Sequence, residues 1–284
     1  MTSPELQIVM WDVAHGSAIY VRTPNGRSML LDAGSSEDFS PALHLWQNWN
    51  VRATDALIIS HGDADHVRDI ANVRLFTPPA VLVENPAAPR NLIFPTDPPD
   101  SEPLKSYDEF RRAFFGPPAI QNRIDLPANW GGVSVATFWS IGPFTKLNNY
   151  SVVTVITFGN LVFVFPGDLE RAGSQALANV AGFMAAARPA SIPNAVRILV
   201  AAHHGHTQGV DEDFLRFFEP HLTLISGPWG DRHTALGTYY TYSDGYPVYS
   251  RSEDKSETRY VLTTKTNEFI RVVADGAFVF VSIP

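Results

Sequence analysis

The chain contains no cysteine. Disulfide bonds and thiolate metal sites are therefore excluded, and any metal ion must be held by nitrogen and oxygen donors. Lysine is scarce as well. Only four of the 21 basic residues are lysine, no run of Lys and Arg occurs, and the net charge is −8. A protein that grips a long nucleic-acid backbone usually carries a basic stripe. None is visible here, although metal ions can concentrate positive charge locally. Charged residues make up 18% of the chain and hydrophobic residues 45%, which argues against disorder and against a coiled coil. No uninterrupted apolar run reaches the ~18 residues of a membrane span. The opening MTSPELQIVMWDV lacks the basic start and apolar stretch of a signal peptide. These absences lead to the expectation of a soluble, cytoplasmic protein without a membrane segment.

What the chain does have is strands. LQIVMWDV, SAIYVRT and SMLLDAG open it, the last two joined by Pro24-Asn25-Gly26, a turn suited to a hairpin. DALIIS and AVLVEN read as short buried strands. A second series follows in GVSVATFWSI, SVVTVITFG, LVFVFPG, RILVAA and HLTLISG, and YVLTTKT, FIRVVADG and AFVFVSIP close the chain. Helices are expected at residues 39–49, 67–76, 106–115, 169–187 and 212–218, with Asp168 as a candidate N-cap of the longest. Strands followed by a helix, twice over, predict two similar halves packed sheet against sheet with helices outside. The 284 residues suit one large domain. Residues 86–127 hold nine of the 22 prolines and read as an insertion looping over the body of a single domain spanning 1–284. Such a loop either shapes a substrate entrance or is a plain surface excursion.

The segment SHGDADHV, residues 60–67, crowds His61, Asp63, Asp65 and His66 into the end of an apolar run just before a helix. α/β proteins commonly place binding groups there. A tight loop with this spacing can aim one pair of side chains at one metal ion and the other pair at a neighbouring ion. The alternative makes the aspartates helix caps and leaves the histidines in solvent.

These residues resemble the H-x-H-x-D-H signature of the metallo-β-lactamase superfamily, with Asp63 in place of the second histidine. With the rest of the chain, the pattern looks like the metallo-β-lactamase domain of the ComEC family of bacterial DNA-uptake channel proteins. WDVAHGSAIYVRTPNGRSMLLDAG is similar to that family's opening segment. LNNYSVVTVITFGNLVFVFPGDLE resembles its N-N-x-S-x-V segment leading into G-D, and LVAAHHGHTQ resembles its H-H-G-S segment. ISGPWGDRHT and YPVYSRSED sit where the family has its closing segments, so the likeness runs along nearly the whole chain in order.

The resemblance implies an α/β fold, the four-layer αββα sandwich of the metallo-β-lactamases, and one or two divalent metal ions, zinc or manganese. It implies that His61 and Asp63 face a first metal position and that Asp65 and His66 face a second. Asp168 would bridge the two. His204 would be the last ligand and His203 a group that either supports the ligands or contacts the substrate, although the two can be exchanged. Asp32 would support the metal loop by hydrogen bonds, or else serve as a cap or turn residue.

The departures are informative. Asn148 and Asn149 occupy the region where the superfamily supplies a further histidine to the first position. That position is left rich in oxygen, which tilts preference toward harder ions such as manganese or magnesium. His15 stands in a glycine-flanked turn near the site and either contacts metal or substrate or lies in solvent. Arg232 and His233 are candidates for binding a phosphate or protonating a leaving group, and His206 is a further candidate. His44 and His221 read as structural.

A divalent ion with open positions lowers the pKa of its water from ~15.7 to near neutrality and so delivers hydroxide at pH 7. Asp65 would orient it, with His203 and His233 as further catalytic candidates. The resemblance implies a nuclease or phosphodiesterase acting on DNA or a smaller nucleotide. Fold alone does not settle substrate. The alternatives are an ester or lactone hydrolase and a non-catalytic binding module that keeps the fold.

Overall fold

The computed structural model describes residues 5–114, 116–227 and 233–284. Arg232, a candidate on sequence grounds, lies outside the described residues. The strands are β1 Leu6–Trp11, β2 Ile19–Arg22, β3 Ser28–Leu31, β4 Ala56–Ile58, β5 Leu82–Val83, β6 Ser134–Phe138, β7 Val153–Phe158 and β8 Leu161–Phe165. They continue with β9 Val196–Val200, β10 Leu222–Ile225, β11 Tyr246–Ser250, β12 Lys255–Arg259, β13 Val261–Thr263, β14 Phe269–Ala274 and β15 Val279–Ile283. Nine form one sheet in the order β12-β11-β15-β14-β1-β2-β3-β4-β5, and six form the other in the order β13-β10-β9-β8-β7-β6.

Side-chain alternation along these strands builds the layers. Leu6, Ile8 and Met10 of β1 and Leu161, Phe163 and Phe165 of β8 point into one core between the sheets. Val9 and Trp11 point the other way, into a second core with Ala42, Leu45, Ile70, Val73, Tyr107 and Phe110 from helices Pro41–Asn48, Ile70–Phe76 and Glu102–Arg111. Val162 and Val164 point into a third core with Leu177, Phe183, Leu215 and Tyr239 from the helices on the opposite side. The architecture is thus the expected αββα sandwich. Burial on both faces explains why β8 reads LVFVF without a polar residue.

The two halves are not alike in strand count. The last strands divide between the sheets, with β14 pairing antiparallel with β1 and β13 pairing parallel with β10. The long helix expected over 169–187 is two short helices, Arg171–Leu177 and Phe183–Ala187. Gly182 breaks it with φ of 85°, a left-handed conformation that glycine adopts without a Cβ clash. Asp168 does not cap that helix. Glu170 occupies the N-cap position without a capping hydrogen bond, and Asp168 turns into a histidine cluster. The third expected helix, 106–115, begins earlier at Glu102, where Pro103 suits the first turn. Helix 212–218 and the β2–β3 hairpin, with Gly26 at φ of 84°, match expectation.

The parallel strands fix where polar groups gather. β3 and β4 run parallel in one sheet, and β8, β9 and β10 run parallel in the other. Their carboxyl ends deliver Asp32, Ser60–His61, Asp168, His203–His204 and Ser226 to the same edge of the sandwich, where open α/β sheets place their ligands.

Among the described residues, the largest fully buried side chain is Trp130, which sits in the core between the sheets. Its indole N–H donates to the Arg123 carbonyl at 3.2 Å, and the Arg27 guanidinium covers its ring at 4.6 Å. Trp130→Ala is expected to destabilise the fold by about 3–5 kcal/mol through cavity formation. Equilibrium denaturant unfolding of the variant against the parent measures this directly.

Candidate metal centre

Asp32 is fully buried at the end of β3, with φ of 58°. A carboxylate without water must find protein donors. Ser60 supplies two, its backbone N–H at 2.6 Å and its hydroxyl at 2.8 Å, and His66 Nδ1–H supplies a third at 2.5 Å. With Nδ1 committed to Asp32, His66 presents Nε2 to the cluster. The Ser226 carbonyl does the same for His204, accepting from Nδ1 at 2.8 Å.

Four residues then converge. Asp65, His66, Asp168 and His204 each place a donor atom within 4.8 Å of the others. His66 Nε2 lies 3.1 Å from Asp168 Oδ1 and 3.2 Å from His204 Nε2. His204 Nε2 lies 3.3 Å from both Asp65 Oδ2 and Asp168 Oδ2, and His66 Nε2 lies 3.6 Å from Asp65 Oδ2. Tetrahedral ligands at the ~2.0–2.1 Å bond lengths of a zinc-type site are about 3.3–3.4 Å apart. The set therefore fits a divalent cation by both chemistry and spacing.

A second half-site adjoins it. His61 is buried, and its Nδ1 lies 3.1 Å from the Ser60 hydroxyl. Among the described residues, its Nε2 has no hydrogen-bond partner. That nitrogen lies 3.3 Å from Asp63 Oδ2, but without hydrogen-bonding alignment, and 4.0 Å from Asp168 Oδ2. An orphaned buried nitrogen beside two carboxylates is what a cation would satisfy. Asp168 thus stands between both groups.

The charges are strongly coupled. Burial alone would raise the Asp168 carboxyl, but His66 and His204 outweigh it and hold the group well below the usual carboxylate range. Asp65 is likewise held low against burial by its hydrogen bond to His204 and by the charge of His66. Burial opposes charging of His66, yet Asp168 and Asp32 push it well above the ordinary imidazole value. His204 is raised to about 9 against burial, by Asp168 first and then Asp65. His203 goes the other way, lowered chiefly by burial.

The remaining candidates are dispersed around this cluster. His203 Nε2 is 3.8 Å from Asp168, outside the four-residue group. His15 is exposed but reaches Asp65 at 3.4 Å, with its ring 4.8 Å from that of His204. His233 is exposed, and its ring stacks on His206 at 5.4 Å, while His206 lies 5.2 Å from His203. Asn149 turns away, its carboxamide oxygen accepting from the Gly173 N–H at 2.8 Å. Asn148 lies beside it in the 3-10 turn Leu147–Tyr150. His44 packs against Trp11, Phe39 and Trp49, and His221 accepts from the Arg197 N–H, both away from the cluster.

Several contributors escaped sequence reasoning. Ser60 was visible as the first letter of SHGDADHV, but only the fold shows that it binds Asp32. Glu170, two residues past Asp168, holds Lys146 at 2.8 Å and approaches His203 Nδ1 at 3.8 Å. The Ser226 carbonyl leaves no mark in a sequence at all. His203 and His204 both have φ of 52°, a left-handed conformation that costs non-glycine residues about 1–2 kcal/mol each.

The two-sheet sandwich thus carries, at its strand ends, a His/Asp cluster able to hold a metal ion. The chain belongs to the metallo-β-lactamase superfamily, whose family model matches residues 11–226. ComE operon protein 3 of Bacillus subtilis (strain 168) is 24% identical over 252 residues, covering 81% of this chain but 29% of that protein. The chain therefore spans less than a third of that relative's length. Among solved structures, the metallo-beta-lactamase fold protein YhfI of Bacillus subtilis aligns with 84% of this chain and 93% of its own, at 14% identity and a TM-score of 0.46. A diphosphatase of the PhnP family aligns with 78% of this chain and 86% of its own, at 14% identity and a TM-score of 0.41. Among the described residues, no helix is long and apolar enough to cross a membrane.

Protons and metal compete for the same nitrogens. Because the His204 value is raised, its ion pairs stabilise the metal-free fold fully below the unfolded histidine range of ~6.5 and progressively less as pH rises toward 9. Chelator-treated protein is expected to lose thermal stability between pH 6.5 and 9. Metal-loaded protein is expected to show a much shallower loss in the same melting series.

Proposed function

We propose that the protein is a metal-dependent hydrolase that cleaves phosphodiester bonds in DNA or a smaller nucleotide. The observation that carries the hydrolase reading is the convergence of Asp65, His66, Asp168 and His204 on one point. The motif order shared with the competence channel proteins, and the relative ComE operon protein 3, support the phosphodiester reading.

In this reading Asp65, His66, Asp168 and His204 would hold one divalent ion, and His61 and Asp63, with Asp168, would serve a second. A bound divalent ion supplies Lewis acidity and an acidified water at neutral pH. The chain's own groups do the rest. Asp32 and the Ser226 carbonyl fix the orientation of His66 and His204. Asp65, within 3.4 Å of His15, orients the attacking water by accepting its hydrogen bond. His203, lowered from the ordinary imidazole range chiefly by burial, stands beside Glu170 and would donate a hydrogen bond to a phosphate oxygen. His233 extends that row through His206. Asn149 serves by bracing the turn at Gly173, and Asn148 lies next to it.

We further read residues 86–127 as an insertion within a single domain. Its Ile93 and Tyr107 pack so closely on Gly62 that a Cβ there would meet them at 2.7 and 3.0 Å. The insertion therefore buttresses the loop that carries His61 and Asp63.

The test incubates metal-loaded protein with single- and double-stranded DNA, RNA and cyclic nucleotides, and separately with lactone and ester substrates. Phosphodiester turnover is expected, and it should fall by at least about a thousandfold in an Asp65→Asn, His66→Ala double variant. Metal analysis of the same samples should show at least one divalent ion in the parent. Turnover confined to the carbonyl substrates would replace the phosphodiesterase reading with an esterase one. Phosphodiester cleavage that persists in the double variant would belong to a contaminant.

Asp63 makes the first position richer in oxygen than a histidine-based site. Manganese is therefore expected to support activity at least as well as zinc, and Asp63→His to shift preference toward zinc. Activity of both proteins titrated with each metal checks this. Identical metal profiles would remove Asp63 from the choice of ion.

A further inference from the structure

A cleft of about 560 Å3 opens on the outer face of the nine-stranded sheet, remote from the metal centre. Register builds its floor. Arg271 stands opposite Val9 on neighbouring strands, Val9 stands opposite Tyr20, and Gln7 stands opposite Arg22. All of these side chains alternate with residues such as Ile8 and Ile270 that face the core between the sheets. The wall is the segment from Trp49 to Asp55, and Arg251 stands at the far rim.

The lining is strongly basic in a chain of net charge −8. Arg22, Arg52, Arg251 and Arg271 all line it, against one carboxylate, Asp55. Asp55 is already engaged by Arg27 at 2.8 Å and by the Ser28 N–H at 2.8 Å. Arg52 lies over the Trp46 ring at 4.5 Å. Among the described residues, the guanidinium groups of Arg22, Arg251 and Arg271 make no hydrogen bond and no ion pair. Arg271 is lowered by burial and next by the like charge of Arg251, with Glu5 opposing more weakly, so the two guanidinium groups repel across the cleft. Like-charged guanidinium groups sharing a cleft cost free energy that a multivalent oxyanion offsets.

The cleft also has an aromatic side. Trp49 is 42% exposed and packs edge-on against Tyr20, with ring centroids 5.6 Å apart. The volume falls within the usual range for small-molecule sites, about 300–1,000 Å3. A guanidinium cluster beside an exposed indole suits a phosphate attached to a flat ring system.

We propose that this cleft is a binding site for a mononucleotide, with its phosphate held by Arg251 and Arg271 and its base against Trp49. The site is separate from the metal centre. Ser28 at the cleft begins β3, Asp32 at the cluster follows its end, and the strand between them spans about 13 Å.

Isothermal titration of chelator-treated protein tests this, because the stripped metal centre then offers no cation to a phosphate. The probes are adenosine 5′-monophosphate, inorganic phosphate and adenosine. Saturable binding of the monophosphate is expected, with inorganic phosphate and adenosine each weaker by about tenfold or more. An Arg251→Gln, Arg271→Gln double variant should weaken monophosphate binding by a similar factor while keeping the parent's melting temperature. An Asp168→Asn, His204→Ala variant should bind it as the parent does. Unchanged binding in the arginine variant, or loss in the metal-centre variant alone, overturns the proposal. Equal affinity for the monophosphate and inorganic phosphate overturns the nucleotide assignment. The single Arg251→Gln variant supplies an independent check if the double variant fails to fold. Because no turnover is read, failure here leaves the hydrolase reading standing, and failure of turnover leaves this binding intact.

Discussion

The hydrogen bond from His66 to Asp32 is the interaction on which the candidate centre depends. Asp32 is sealed from water, so its charge is tolerable only while Ser60 and His66 surround it. Those same bonds clamp the end of β3, the end of β4 and the short helix Ala64–Val67 into one unit. The carboxylate orients His66, His66 compensates Asp168, and Asp168 in turn faces His204 and His61. Acidic and basic groups thus alternate inward from an apolar wall. Each one is tolerable in its place because of the next.

Glycine provides the clearance this crowding needs. A Cβ on Gly34 would sit 2.7 Å from both the Asp65 and the Ser17 carbonyl oxygens, and one on Gly16 would collide with the same Asp65 carbonyl. A Cβ on Gly167 would strike Ser60, the residue that binds Asp32. Four of the eight described non-glycine residues with positive φ belong to the same loops: Ala14, Asp32, His203 and His204. The local backbone preferences of these loops are overridden by the packing around them, as is common where chemistry sets the geometry.

The legible part of this molecule was whatever residue type and periodicity encode. Strands buried on both faces announce themselves as apolar runs, and SHGDADHV, PGD and HHG name ionisable groups that the fold does assemble. The parts that were not legible depend on long-range packing. Nothing in LNNYS says that Asn149 spends its carboxamide on Gly173, 24 residues away. Asp168 is a plausible N-cap by type, and only the histidines converging from other strands draw it elsewhere. Gly182 carried a helix-breaking signal that helical spacing on either side concealed. The basic cleft is spread over residues 22 to 271, so it forms no charge run in the sequence.

The bond from the Ser226 hydroxyl to the Gly16 carbonyl, at 2.5 Å, joins residues 210 positions apart. The Ser226 carbonyl orients His204, and the turn around Gly16 lies against Asp65. The centre is therefore assembled from loops spread over most of the polypeptide, and every one of those loops must close before the last nitrogen is in place. Closure of such long loops is slow and entropically opposed. An ion that binds only the finished geometry can reward nothing earlier on the folding route. It would leave the rate of folding nearly untouched and act instead as a latch, slowing the escape of a chain that has already arrived.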